Sequence, residues 1–145
     1  MPIEIKDVEN GLGNLIIVNG VVTEIEFVEA LQRHLTQNPE KFRRYRFSLT
    51  DLSEVTELNL SKAVIEEHSR ACIRSAEVNP DAVVAVVAPQ DLQFGLSRMW
   101  EILSNEISWE ICIFRRNEEA RTWVRERVKE KWEITDLTMG CTGRQ

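Results

Sequence analysis

The middle of the chain reads Arg46-Phe-Ser-Leu-Thr-Asp51-Leu-Ser-Glu-Val55, then Thr56-Glu-Leu-Asn59, then Leu60-Ser61-Lys62. The first run is typical of a strand, the second predicts a turn, and the third predicts the first residues of a helix. That helix is expected to end near Asn79-Pro80, because the residue before a proline is driven out of the helical conformation. A strand that passes through a short loop into a helix is the repeating unit of α/β domains.

On both sides of this segment the chain alternates strands with helices. Downstream, Ala82–Ala88 is an unbroken apolar run, which predicts a parallel strand in the interior of a sheet. Upstream, residues 2–8 and 14–22 read as an antiparallel pair of strands. We expect Gly11 and Gly13 to supply the positive φ angles of the connecting loop.

The remaining elements are marked by helix signals and one more apolar run. Thr23-Glu-Ile-Glu26 is a capping box that predicts the first helix, which should stop before Asn38-Pro39. A helix after Pro89 is expected to turn Leu92, Leu96, Met99 and Leu103 inward. The last strand, Glu110–Phe114, is followed by a fourth helix that begins near Asn117.

The predicted order is β-β-α-β-α-β-α-β-α, an α/β fold with a mixed sheet of about five strands and four helices. Right-handed crossovers would place the helices against the sheet. The sequence predicts one domain over residues 1–133. It also predicts a tail over residues 134–145 that is partly disordered or loosely docked.

Composition excludes several classes of function. The net charge of −6 repels phosphate backbones, and the tight basic cluster Arg43-Arg44-Tyr-Arg46 lacks interleaved stacking aromatics. We therefore expect no nucleic-acid partner. No apolar stretch approaches the ~18–20 residues of a membrane span, and the N-terminus lacks signal-peptide features, which predicts a cytoplasmic protein. Three widely spaced cysteines, Cys72, Cys112 and Cys141, predict reduced thiols and neither a disulfide framework nor a zinc site.

The segment from residue 46 to residue 62 resembles the signature of STAS domains, the fold of anti-sigma-factor antagonists. Gly20-Val-Val-Thr23 is similar to the turn that precedes the first helix of that family. Phe94-Gly-Leu-Ser-Arg-Met99 resembles an uncharacterised bacterial SpoIIAA-like branch. The resemblance implies a SpoIIAA-like (STAS) fold and a regulatory domain that binds a protein partner.

The motif that carries regulation in that family is largely replaced in this chain. The family places Asp-Ser-Ser-Gly at the helix start and phosphorylates a serine there. The matching residues here are Asn59, Leu60, Ser61 and Lys62, so only Ser61 stays in register. Ser61 is open to two interpretations, a helix cap or a phosphorylation site. With its neighbours replaced, we expect no phosphorylation by a kinase of that class. Asn59, Ser61 and Lys62 are the candidate regulatory surface.

The sequence offers no catalytic set. Ser61 and His68 share a helical face, yet seven residues at ~1.5 Å each separate them by about 10 Å, too far for proton transfer. His68 is expected at the solvent edge or partly packed, and His34 is expected to act as a favourable charge at a helix C-terminus. We expect no enzyme, no cofactor and no metal.

Four tryptophans are many for 145 residues. They could belong to the core, to an interface or to a ligand pocket. Met99 and Trp100 are the candidate dimer or ligand surface. We predict a non-catalytic, protein-binding regulatory domain that forms a homodimer. The alternative is a carrier of a small apolar ligand or lipid, which a closed cavity of roughly 300 Å³ or more would favour.

Overall fold

A computed structural model describes residues 2–138 of the chain. Over that range the chain forms one sheet and two helical layers, and the mixed α/β architecture predicted from the sequence is confirmed. The strands are β1 Ile3–Val8, β2 Gly13–Val22, β3 Phe47–Leu58, β4 Val83–Val87 and β5 Glu110–Phe114. The α-helices are α1 Glu24–Thr36, α2 Pro39–Arg44, α3 Lys62–Ser75, α4 Asp91–Leu103 and α5 Asn117–Trp132.

The sheet has the order β1-β2-β3-β4-β5. β1 runs antiparallel to β2, and every other pair is parallel. β4 therefore lies between two strands, and all of its residues are buried. The prediction of an interior strand from the apolar run Ala82–Ala88 is confirmed.

Each face of the sheet has its own core, because successive side chains of a strand point to opposite faces. Val84 and Val86 of β4 belong to a core with residues of α1, α3 and α4. Val83, Ala85 and Val87 belong to a second core, which α5 covers with Ala120, Val124 and Val128. Helices α1, α3 and α4, together with Phe42 of α2, thus cover one face, and the long α5 covers the other.

The prediction of four helices is wrong by one, because α2 was not foreseen. The pair Asn38-Pro39 was expected only to end α1. The Asn38 side chain accepts a hydrogen bond from the Lys41 backbone N–H at 3.1 Å, and Pro39 occupies the first turn of α2. Proline is favourable there, since its missing N–H would have had no helical partner. The same dipeptide ends one helix and begins the next.

Gly13 has a different role from the one predicted. Gly11 has a positive φ of 89°, as expected for the loop, and Asn10 also has a positive φ, of 57°. Gly13 is instead the first residue of β2, paired with Phe47 of β3. A Cβ atom on Gly13 would lie 2.2 Å from the Phe47 ring. Gly13 is therefore needed for close approach.

We predict that Gly13→Ala destabilises the fold by about 1–3 kcal/mol or more, the usual cost of overpacking a core. Phe47 is fully buried, so its ring cannot turn out into solvent to make room for the added methyl group. The measurement is urea unfolding followed by circular dichroism.

Gly95→Ala in α4 is the control, because a Cβ atom there meets nothing within 4 Å. It should gain about 0.5–1 kcal/mol. Equal stabilities for the two variants would contradict the role of Gly13.

The described part of the predicted tail packs against the domain. Leu137 is buried in the core beneath α5, and the backbone N–H of Thr138 donates to Glu9 Oε2 at 3.1 Å. Residues 139–145 of the predicted tail, including Cys141, lie outside the described residues. Within residues 2–138, no helix combines the length and the apolar composition that crossing a membrane requires.

Candidate functional site

The start of α3 carries the candidate regulatory residues. Ser61 is the N-cap: its Oγ accepts from the Val64 backbone N–H at 3.2 Å. The Ser61 backbone N–H donates to Oε2 of Glu24, which lies in the first turn of α1. The interpretation of Ser61 as a helix cap is confirmed.

The electrostatics of this helix start disfavour a further anion. Hydrogen bonds from Ser61 hold the pKa of Glu24 below its usual value, so its carboxylate is charged at neutral pH. Asn59 donates to a second carboxylate, that of Glu57. Lys62 is exposed and forms no ion pair with any residue between 2 and 138. Glu24 thus occupies the place at the positive end of the helix dipole that a phosphate on Ser61 would take.

We predict that Ser61→Glu destabilises the protein more than Ser61→Ala, which should lose the cap at a cost of about 0.5–2 kcal/mol. The additional loss arises because the new carboxylate meets Glu24 at one helix start. Glu24→Gln in the Ser61→Glu background should remove that additional loss. Urea unfolding of the four proteins measures these differences. If Ser61→Glu proves as stable as wild type, Glu24 does not oppose an anion there.

A cavity of about 130 Å³ lies between the sheet and the layer of α1, α3 and α4. Three aromatic rings form part of its wall. The His68 ring meets the edge of Phe27, with centroids 5.2 Å apart, and stacks on Trp100 at 5.9 Å. His68 is half-buried, in agreement with the prediction that it is partly packed.

A cysteine and a histidine lie side by side in this wall. Cys72 Sγ is 3.7 Å from His68 Nε2. In reactive sites, a cysteine and a histidine this close can form a thiolate–imidazolium pair. Burial lowers the pKa of His68 to about 4 and raises the pKa of Cys72 to about 12. Both groups are therefore neutral at physiological pH, which leaves the thiol unreactive. Sequence reasoning missed the pair, although the spacing i, i+4 on one helix places the two side chains together.

A polar cluster forms the other end of the cavity. Ser48 donates to Asn14 Oδ1 at 2.7 Å, and Asn14 Nδ2 lies 3.3 Å from His34 Nε2. Burial lowers the pKa of His34, and the nearby charge of Asp7 only partly opposes that effect. His34 is therefore neutral near pH 7, and the prediction that it acts as a charge at the end of α1 is wrong. Tertiary packing of the imidazole outweighs the helix dipole.

We predict that folding stability falls by about 2 kcal/mol between about pH 7.5 and pH 5 through His68 alone. Its pKa is about 4 in the fold and 6.5 when unperturbed, so the unfolded chain takes up the proton first. Carboxylates with lowered pKa values, such as that of Asp7, lose their contribution only at lower pH. His34 lowers the folding stability further over the same interval, because burial also lowers its pKa in the fold.

Urea unfolding of wild type and His68→Gln at the two pH values measures this effect. The variant should lose about 2 kcal/mol less than wild type over the interval. Parallel pH dependence in the two proteins would show that His68 titrates normally.

The outward face of α4 carries an apolar stripe. Leu92 is 63% exposed and Ile102 is 62% exposed. Gly95 is exposed and Met99 half-buried between them. At about 100° per residue the four positions fall within an arc of about 80°. We call Leu92, Gly95, Met99 and Ile102 the α4 stripe.

The inward face of α4 differs from the prediction. Leu92 was expected to point inward with Leu96, Met99 and Leu103, and for Leu92 this is wrong. The buried residues of the helix are Gln93, Ser97 and Trp100. Apolar residues nearly encircle α4, so periodicity alone could not fix its rotation. Of the two residues singled out as a dimer or ligand surface, Trp100 lines the cavity, whereas Met99 is half-buried and packs against the core.

The other candidate constellations are not brought together. The contacts of Ser61 are with Glu24 and Val64, whereas those of His68 are with Phe27, Cys72 and Trp100. Among residues 2–138, no group of three or more His, Cys, Asp or Glu side chains is placed to hold a metal ion.

Comparison with solved structures gives a similarity in fold. No protein-family model matches the chain, and no curated protein matches it. Among solved structures, the chain is similar to an uncharacterised protein of the DUF3478 family from Shewanella loihica PV-4, described as having a SpoIIAA-like fold. The TM-score is 0.48 and the identity is 17%, over 84% of this chain and 91% of that chain.

Proposed function

We propose that this chain is a non-catalytic, protein-binding domain that pairs with a second copy of itself through α4. The α4 stripe carries this proposal. It places two large aliphatic side chains in solvent on one helix face, with a glycine between them that lets another helix approach closely. Single exposed apolar residues are ordinary, but two large exposed aliphatic side chains on one face of a helix, with a glycine between them, favour an interface.

The charges around the stripe favour a second copy as the occupant. Arg98 and Glu101 flank it and pair with each other at 2.7 Å. The flank is therefore neutral, in a chain whose net charge of −6 otherwise makes two copies repel. A two-fold axis that crosses the α4 stripe between Gly95 and Met99 would set Leu92 of one copy against Ile102 of the other. Each copy then presents the same surface, as a symmetric dimer requires.

The chemistry of the cavity supports the non-catalytic part of the proposal. Its histidines and Cys72 have pKa values that keep them uncharged near pH 7. A histidine with a pKa of about 4 is a weak general base, and a cysteine with a raised pKa supplies little of the thiolate that a nucleophile requires. The exposed start of α3, with Asn59, Ser61 and Lys62, is the proposed surface for a regulatory protein partner.

The cavity does not favour a lipid carrier. Pockets for drug-sized ligands enclose roughly 300–1,000 Å³, and this cavity holds about 130 Å³. A lipid chain would need α1, α3 and α4 to move away from the sheet.

We predict that the wild-type protein sediments at about twice its 16.8 kDa monomer mass at high micromolar concentration. Ile102→Ser and Leu92→Ser should each weaken the dimer by at least tenfold, since each removes a large aliphatic contact from both sides of a symmetric interface. Sedimentation equilibrium gives the dissociation constants.

Ile25→Ser is the matched control, because Ile25 is 69% exposed on α1, away from α4. It should leave the dimer intact. A monomeric wild type, or a dimer that is equally sensitive to Ile25→Ser and Ile102→Ser, would contradict pairing through α4.

A further inference from the structure

The part of the cavity wall that residues 2–138 form has no charged side chain. None of the described lining residues is Asp, Glu, Lys or Arg. Its ionisable members are held neutral: burial lowers the pKa of His34 and His68 and raises that of Cys72. A charged molecule would lose its hydration without gaining a counter-charge. An occupant of this cavity is therefore neutral.

Two hydroxyl groups in the wall have no side-chain partner. Ser97 of α4 is only 8% exposed, lines the cavity and forms no side-chain hydrogen bond with a residue in the range 2–138. Thr50 of β3 lines the same cavity, is half-buried and is likewise unpaired. Both oxygen atoms are open to the cavity, since neither is among the fully buried side-chain atoms without a partner in the described residues. By contrast, the buried hydroxyl of Ser69 pairs with that of Ser104 at 2.9 Å.

The orientation of α4 also differs from the one that apolar periodicity predicts for Leu92. The polar Ser97 faces the sheet while the aliphatic Leu92 faces solvent. A helix that buries a hydroxyl and exposes a leucine is less stable than the reverse arrangement unless the hydroxyl is used. This inversion points to the same cavity as the unpaired groups.

We infer that the cavity binds a neutral molecule of single-ring size, whose apolar body packs among Phe27, Trp100 and Ile65 and whose one polar group hydrogen-bonds to Ser97 or Thr50. The size follows from the volume: a cavity of about 150 Å³ holds a benzene-sized molecule, and this one measures about 130 Å³. Water alone fits the wall poorly, because a buried water needs two to four polar partners and most of the lining is aliphatic or aromatic.

Phenol and toluene test this inference as a matched pair, because they differ in shape only by a hydroxyl in place of a methyl group. Both should bind wild type, raising the melting temperature by about 3 °C at ten times the dissociation constant. Chemical-shift titration of the cavity residues then gives each dissociation constant. In Ser97→Ala or Thr50→Val, phenol should lose about threefold to tenfold in affinity relative to toluene, the worth of one hydrogen bond.

Ser75→Ala is the matched control. Ser75 is a helical serine of α3, also 8% exposed and without a side-chain hydrogen bond, and it does not line the cavity. It should leave both affinities unchanged. Failure of both probes to bind would overturn the inference. An unchanged ratio of phenol to toluene affinity in both hydroxyl variants would overturn the assigned hydrogen bond. Neither outcome depends on pairing through α4, which sedimentation tests separately.

Discussion

The contact between Gly13 and Phe47 determines how the sheet is assembled. Gly13, Phe47, Val83 and Glu110 form one row across four strands, so the position of the Phe47 ring over Gly13 fixes the register of the parallel part. A slip of one residue would exchange the two faces of every strand and turn each core toward the wrong helices. The absence of a side chain at Gly13 therefore contributes to both cores, even though Phe47 lies in only one.

The two faces of the sheet differ in how closely their side chains are packed. On the face of α5, small and β-branched residues such as Ala120, Val124 and Val128 are fully buried. On the other face, large aromatic rings and polar side chains leave a cavity. Close packing stabilises a fold, whereas space with unpaired polar groups costs stability. The face covered by α1, α3 and α4 thus contains the proposed binding cavity. The closely packed face under α5 stabilises the sheet that forms the floor of that cavity.

Much of the fold follows from local signals. The helix that begins after Thr23 and the strand within Ala82–Ala88 could both be predicted, because the capping box and the apolar run that form them involve only residues close together in the sequence. The roles of Gly13, Ser97 and His34 depend on residues far along the chain, such as Phe47 for Gly13 and Asn14 for His34. Periodicity also cannot identify the buried face of a helix that has apolar residues on nearly every side. The position of α4 in the sequence could therefore be predicted, but not which of its faces contacts the sheet.

The two opposed faces of α4 have a thermodynamic consequence. One rigid helix carries Trp100 and Ser97 in the cavity wall and, about one helix diameter away, Leu92 and Ile102 at the surface. An occupant that displaced α4 would displace both faces together. Thermodynamic linkage then requires that the two effects be equal. The factor by which an occupant changes the self-association constant is the factor by which self-association changes the affinity for the occupant. If α4 does not move, both factors equal one, and the two equilibria are independent although they share a helix.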